Sequence, residues 1–168
     1  GLIGGSLALD IKSNNSKVEI FGIDTNDEHL DEALELQIID KKGSYSDLHH
    51  ADLVVLSIPV DKAIEVLPKV LDSISDQTLV IDVGSTKSPI CDAVEDHPNR
   101  RNFLATHPIA GTEFSGPKAA LNQLFQKKTN IICEVEKTAF KLQEKALQLF
   151  SDLGMRIRYM NPIAHDKH

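Results

Sequence analysis

A doubly wound α/β domain on a mostly parallel sheet is what this sequence predicts, and three observations carry the prediction. Six short runs rich in β-branched and apolar residues recur along the 168 residues, and segments of helical periodicity separate most of them. Several runs, such as LVVL (53 to 56) and LVIDV (79 to 83), are almost continuously apolar. A strand with apolar side chains on both faces is buried on both faces, as in a parallel sheet covered by helices above and below.

In chain order, LIGGSLALDIK (2 to 12) reads as the first helix and KVEIFGID (17 to 24) as the first strand. NDEHLDEALEL (26 to 36) is a second helix, with Thr25 and Glu28 at capping-box spacing. The polar KKGSYSD cluster (41 to 47) is expected to be a loop. ADLVVLSI (51 to 58) and QTLVIDV (77 to 83) are strands around a helix at DKAIEVLPKVLDSI (61 to 74). KSPICDAVEDH (87 to 97) is a fourth helix, followed by strands at NFLATH (102 to 107) and TNIICEV (129 to 135). TAFKLQEKALQLFSDL (138 to 153) closes on Gly154 as its C′ residue, and RIRYM (156 to 160) is the last strand.

The length suits one domain with a real core. A formal net charge of -7 without any long Lys/Arg run argues against a nucleic-acid surface. Apolar runs such as ADLVVLSIPV are too short to span a bilayer and no signal-peptide pattern is present, so a soluble, cytoplasmic protein is expected. Cys91 and Cys133 lack metal-ligand spacing and read as small buried hydrophobes. No metal is expected, although His165 and His168 share an i, i+3 spacing. His49, His50, His97 and His168 are expected to face solvent.

The opening GLIGGS matches the second half of a Rossmann-like dinucleotide fingerprint, with Gly1 and Gly4 as its second and third glycines. Gly1 would let backbone approach a pyrophosphate, Gly4 would let the helix pack closely, and the amides of Leu2 and Ile3 would face the anion. The strand and glycine that should precede Gly1 are missing, so the chain is expected to be a segment of a longer protein. Asp24 ends a strand twenty residues after Gly4, where the fingerprint expects an acid on the adenosine ribose. A carboxylate there repels a 2′-phosphate, which favours NAD over NADP. The rival role is an ordinary strand-end or cap residue.

Ligands of such sheets bind outside the carboxyl ends of the strands. Those ends supply Asp24, then Ser57, Ile58 and Pro59, then Gly84 and Ser85 in DVGSTK, then His107 in THPIAGTE. An imidazole there can accept a hydrogen bond or proton from a substrate hydroxyl near neutral pH, which suits alcohol oxidation. The alternative is a strand-end histidine satisfied by backbone. Lys87 either answers a helix or phosphate dipole or is a surface lysine.

GLIGGSLA, the strand-end acid, DVGSTK, HPIAGTEFSG and the late MNPIAHDKH occur in the order shown by the prephenate and arogenate dehydrogenases, which the chain resembles over essentially its whole length. The resemblance implies NAD-dependent oxidative decarboxylation of prephenate, with arogenate as the alternative substrate. It implies that His107 accepts the hydrogen bond of the ring hydroxyl, assisted by Ser85, and that Thr112, Glu113 and His165 line the substrate pocket. For Glu113 a solvated loop acid, and for His165 a frayed tail, are the competing readings. It also implies that residues 1–160 form a nucleotide-binding domain and that 161–168 begin a helical dimerisation domain, so that the full protein is a homodimer. Thr86 stands where the family often has valine, and basic groups for the substrate carboxylates are not evident. A non-catalytic NAD-binding sensor and a dehydrogenase of β-hydroxyacids or cyclic imines are the other readings; the neighbouring strand ends of Ser85 and His107 argue against the first, and HPIAGTE against the second.

Overall fold

The computed structural model describes residues 2–109 and 124–167. Seven strands and six α-helices alternate through them: α1 (Leu2–Asn14), β1 (Phe21–Gly22), α2 (Asp27–Glu35), β2 (Lys41–Lys42), β3 (Leu53–Leu56), α3 (Val60–Ser73), β4 (Leu79–Asp82), α4 (Ser88–Ala93), β5 (Phe103–Pro108), β6 (Thr129–Cys133), α5 (Phe140–Asp152), β7 (Arg156–Tyr159) and α6 (Pro162–Asp166). The main sheet runs β3-β4-β5-β6-β7, while β1 and β2 form a separate parallel pair. Neighbours in the main sheet are parallel except β5 and β6, whose register runs antiparallel from Ala105↔Cys133 to Pro108↔Asn130. The mostly parallel α/β sheet expected from the sequence is therefore present. The reversal at β6 was not legible, because a short apolar run buried on both faces reads the same in either direction.

β4 shows why these runs are apolar. All four of its residues are buried. Val80 packs with Leu67, Val70, Leu71 and Ile90 of α3 and α4, while Leu79 and Ile81 pack with Leu7 of α1 and Ala146 and Phe150 of α5. Each such side chain contributes roughly 1.5–3 kcal/mol on leaving water. Cys91 and Cys133 sit in the α3/α4 side of this core.

Three local expectations change. The first strand contracts to Phe21–Gly22, because only these residues find a register, opposite Lys41 and Lys42 in the segment read as a loop. The N-cap of α2 is Asn26, not Thr25: its Oδ1 accepts from the amides of Glu28 and His29 at 2.9 and 3.3 Å. Lys87 is neither at the surface nor a phosphate ligand. It is fully buried (0% exposed) in an ion pair with Asp82 at the end of β4. At the other end of α5, Gly154 takes φ +75° as expected. Its amide bonds to Ser151 O and that of Met155 to Phe150 O, both at 2.9 Å, the pattern of a Schellman C-cap.

Asp82 also accepts from the amides of Thr106 (3.2 Å) and Gly84 (3.1 Å), while the Thr106 hydroxyl donates to Asp82 O at 2.6 Å. The carboxylate thus ties β4, the turn after it and β5 to one cation. Burial pushes the Asp82 carboxyl above its usual range, against the pull of Lys87 and the two amides. At the start of α1, a Cβ added to Gly4 would lie 2.7 Å from Ser57 Cβ, and the Gly4 amide donates to Ser57 Oγ at 3.1 Å. No helix among the described residues is long and apolar enough to cross a membrane.

Lys87→Met should cost about 3–5 kcal/mol in urea unfolding, because it leaves Asp82 buried without its cation. Gly4→Ala should cost about 1–3 kcal/mol through crowding against Ser57, and Ser57→Gly in the same chain should recover much of that loss.

Candidate active site

β5 carries His107 to the same end of the sheet at which β4 stops and turns through Gly84 and Ser85 into α4. His107 is half-buried. Its partner comes from the far end of the chain. Asn161 caps α6, its Oδ1 accepting from the amides of Ile163 and Ala164 at 2.8 and 3.4 Å, and Pro162 occupies the first turn. This single turn presents His165 and Asp166 side by side.

His107 Nδ1 lies 2.8 Å from His165 Nε2, and His165 Nδ1 lies 2.7 Å from Asp166 Oδ1. Asp166 in turn accepts from the amides of Lys87 (Oδ1, 2.7 Å) and Ser88 (Oδ2, 2.8 Å) at the start of α4. Carboxylates accept only, so with both rings neutral the order of donors is forced. His165 gives its Nδ1 proton to Asp166 and offers a bare Nε2. His107 gives its Nδ1 proton to that Nε2 and is left with a bare Nε2 of its own. The outcome is a hydrogen-bond acceptor at the end of β5.

Burial, reinforced by His165 and Lys87 and opposed by Asp166, pushes the His107 imidazole down to about 4. It is therefore uncharged at neutral pH. Burial works against ionisation of Asp166 too, but the hydrogen bonds from His165, Ser88 and Lys87 outweigh it and hold this carboxyl below its usual range.

His165, expected in the substrate pocket, stands behind His107 instead: it is 5% exposed and both its nitrogens are engaged. Ser85 is exposed in the turn next to the strand that bears His107. Ser57 packs on Gly4, Ile58 and Pro59 are exposed beside it, and Gly84 is bonded through its amide to Asp82. The Gly4 amide, expected with its neighbours at the helix start to face an anion, is occupied by Ser57 Oγ. Ile3 packs its side chain into the α1/α5 side of the core, leaving its backbone at the helix start. Gly1, Thr112, Glu113, His168 and the side chain of Leu2 lie outside the described residues.

Asp24 is exposed beyond the end of β1, with Oδ1 accepting from the Asn26 amide at 2.9 Å. His29 Nδ1 is 3.8 Å from its other oxygen, a neighbour that sequence spacing did not bring forward. His97, expected in solvent, is stapled through Nε2 to Asp72 Oδ1 at 2.8 Å. Sequence reasoning passed over Asp82, and so missed the partner that draws Lys87 into the core. An aspartate closing an apolar run five residues before a lysine was the available signal.

Comparison with known proteins identifies the family of the chain. Residues 7–159 match the family described as prephenate dehydrogenase, nucleotide-binding domain. The prephenate dehydrogenase of Bacillus subtilis (strain 168) is 35% identical over 170 residues, covering 99% of this chain and 46% of the relative. A crystal structure of prephenate dehydrogenase from Aquifex aeolicus with hydroxyphenyl propionate and NAD+ superposes with a TM-score of 0.87 at 32% identity, over 98% of this chain and 58% of that one. Synechocystis arogenate dehydrogenase gives the same TM-score of 0.87 at 27% identity, over 99% of this chain and 59% of that one. The chain spans about half the length of the curated relatives it matches. With its helix-start glycine, its strand-end imidazole and this family match over nearly its whole length, the chain belongs to the nucleotide-binding domain family of the prephenate dehydrogenases.

Proposed function

We propose that the protein containing this chain is an NAD-dependent prephenate dehydrogenase, forming 4-hydroxyphenylpyruvate by oxidative decarboxylation. The observation that carries the reading is the bare Nε2 of His107, fixed as an acceptor by the 2.8 Å contact behind it. A cyclohexadienol needs such a group at its carbinol oxygen.

The residues present fit a dinucleotide. Gly4 leaves no room for a Cβ where α1 meets the end of β3, which brings the helix start close to the strand ends. The exposed Asp24 carboxylate suits a ribose diol, and the exposed Ile58 and Pro59 offer an apolar ledge between the two. Gly1, Leu2, Ile3, Gly4, Asp24, Ser57, Ile58, Pro59 and Gly84 would hold NAD, which when bound supplies the hydride acceptor.

His107 orients the ring hydroxyl and takes its proton as the carbon is oxidised. Ser85 holds the same hydroxyl from the neighbouring turn, and Thr112 and Glu113 line the pocket. Loss of carbon dioxide makes the ring aromatic and supplies the driving force, so the protein mainly positions and polarises. The likeness to Synechocystis arogenate dehydrogenase favours arogenate as the second reading, since the same hydroxyl chemistry serves both substrates. The family resemblance supports a homodimeric full-length protein.

In the full-length protein, His107→Asn should lower kcat with prephenate roughly 10²- to 10⁴-fold while NAD binding by calorimetry stays unchanged. Unaltered kcat would remove His107 from the reaction. Asp24→Asn should weaken NAD binding by about 10- to 100-fold, the worth of a charge-assisted hydrogen bond, and raise the NADP/NAD ratio of kcat/KM.

A further inference from the structure

The chemistry above uses only the outer nitrogen of His107. Its inner nitrogen opens a hydrogen-bonded chain that runs through the buried His165 to Asp166 and ends on two backbone amides at the start of α4. A single hydrogen bond to a carbonyl would have sufficed to hold one ring. A second imidazole and a carboxylate do more, because they can receive a proton.

Resting on the reading that His107 takes the hydroxyl proton, we infer that His165 and Asp166 are positioning residues of a two-imidazole relay. The proton arriving at His107 Nε2 releases the one on Nδ1 to His165 Nε2. His107 ends neutral with its proton on Nε2, and His165 ends as an imidazolium that keeps its Nδ1 proton against Asp166. One proton enters, one moves between rings, and the charge rests beside the only carboxylate in direct contact with either ring among the described residues.

The groups facing the pair decide the direction. Lys87 on the α4 side raises the cost of a cation on His107. Asp82 on β4 is already matched by the Lys87 ammonium. Cys133 on β6 stays a neutral thiol, since burial pushes it up to about 11. Asp166, held ionised by the Lys87 and Ser88 amides, touches His165 and not His107. A positive charge is therefore better placed on the inner ring than on the outer one.

The test is a ¹⁵N NMR titration of the histidine rings in the full-length protein, with His107→Asn and His165→Gln used for assignment. At neutral pH, His107 should carry its proton on Nδ1. As the pH falls, His165 should become doubly protonated while the His107 proton moves to Nε2. A His107 bare at Nδ1 at neutral pH, or one that becomes doubly protonated while His165 stays neutral, overturns the relay. In a second arm, Asp166→Asn should lower kcat for prephenate roughly 10- to 100-fold, with KM within about twofold and NAD binding unchanged. It should also mix the two His107 tautomers. Unchanged kcat, or a raised KM at constant kcat, overturns the proposal. Should the Asp166 variant fail to fold, the wild-type titration alone decides. Should the wild type not oxidise prephenate, the proposed function falls by itself and the titration still judges the relay.

Discussion

The Asp166 carboxylate is the constraint on which the site depends. It closes α6 onto the start of α4, bonding amides 79 and 78 residues away in sequence, and it orients His165 from the next position in the chain. The tautomer of His165 decides that of His107, so one acid at the end of the described chain determines which nitrogen is free at the end of β5. The two amides do for the carboxylate what a local cap would do for the helix, and each partner stabilises the other.

Lys87 serves this arrangement from both ends of the residue. Its amide binds Asp166, and its ammonium binds Asp82, which in turn gathers the amides of Gly84 and Thr106. The loop after β4 and the strand that bears His107 are therefore braced by one buried ion pair. Its desolvation is costly, and removal of either charge costs more than the pair itself returns. What the pair secures is position, at the strand ends from which Ser85 and His107 project.

Much of the fold was legible because it rests on period and composition. The runs at LVVL and LVIDV announced strands buried on both faces, and Gly154 announced its C-cap through the one backbone conformation that glycine adopts freely. What escaped was set by tertiary partners. Lys41 and Lys42 form a strand only because Phe21 and Gly22 lie alongside, and the direction of β6 has no local signature. At the site, the strand-end rule brought out His107, Ser85 and Asp24. The family resemblance put His165 in contact with substrate, because one-dimensional order says nothing about which of two neighbouring rings stands in front. Lys87 read as a dipole partner or a surface residue because charge normally avoids the core, and only the matching acid beneath it makes the exception.

The two cysteines lie in the core beneath α3 and α4, and burial raises both thiols above their ordinary range. Neither supplies appreciable thiolate at neutral pH, so oxidants and alkylating reagents find no foothold on the closed molecule. Labelling at Cys91 or Cys133 therefore clocks the opening of the sheet itself, and the fold carries a built-in gauge of its own integrity on the helical side of the sheet.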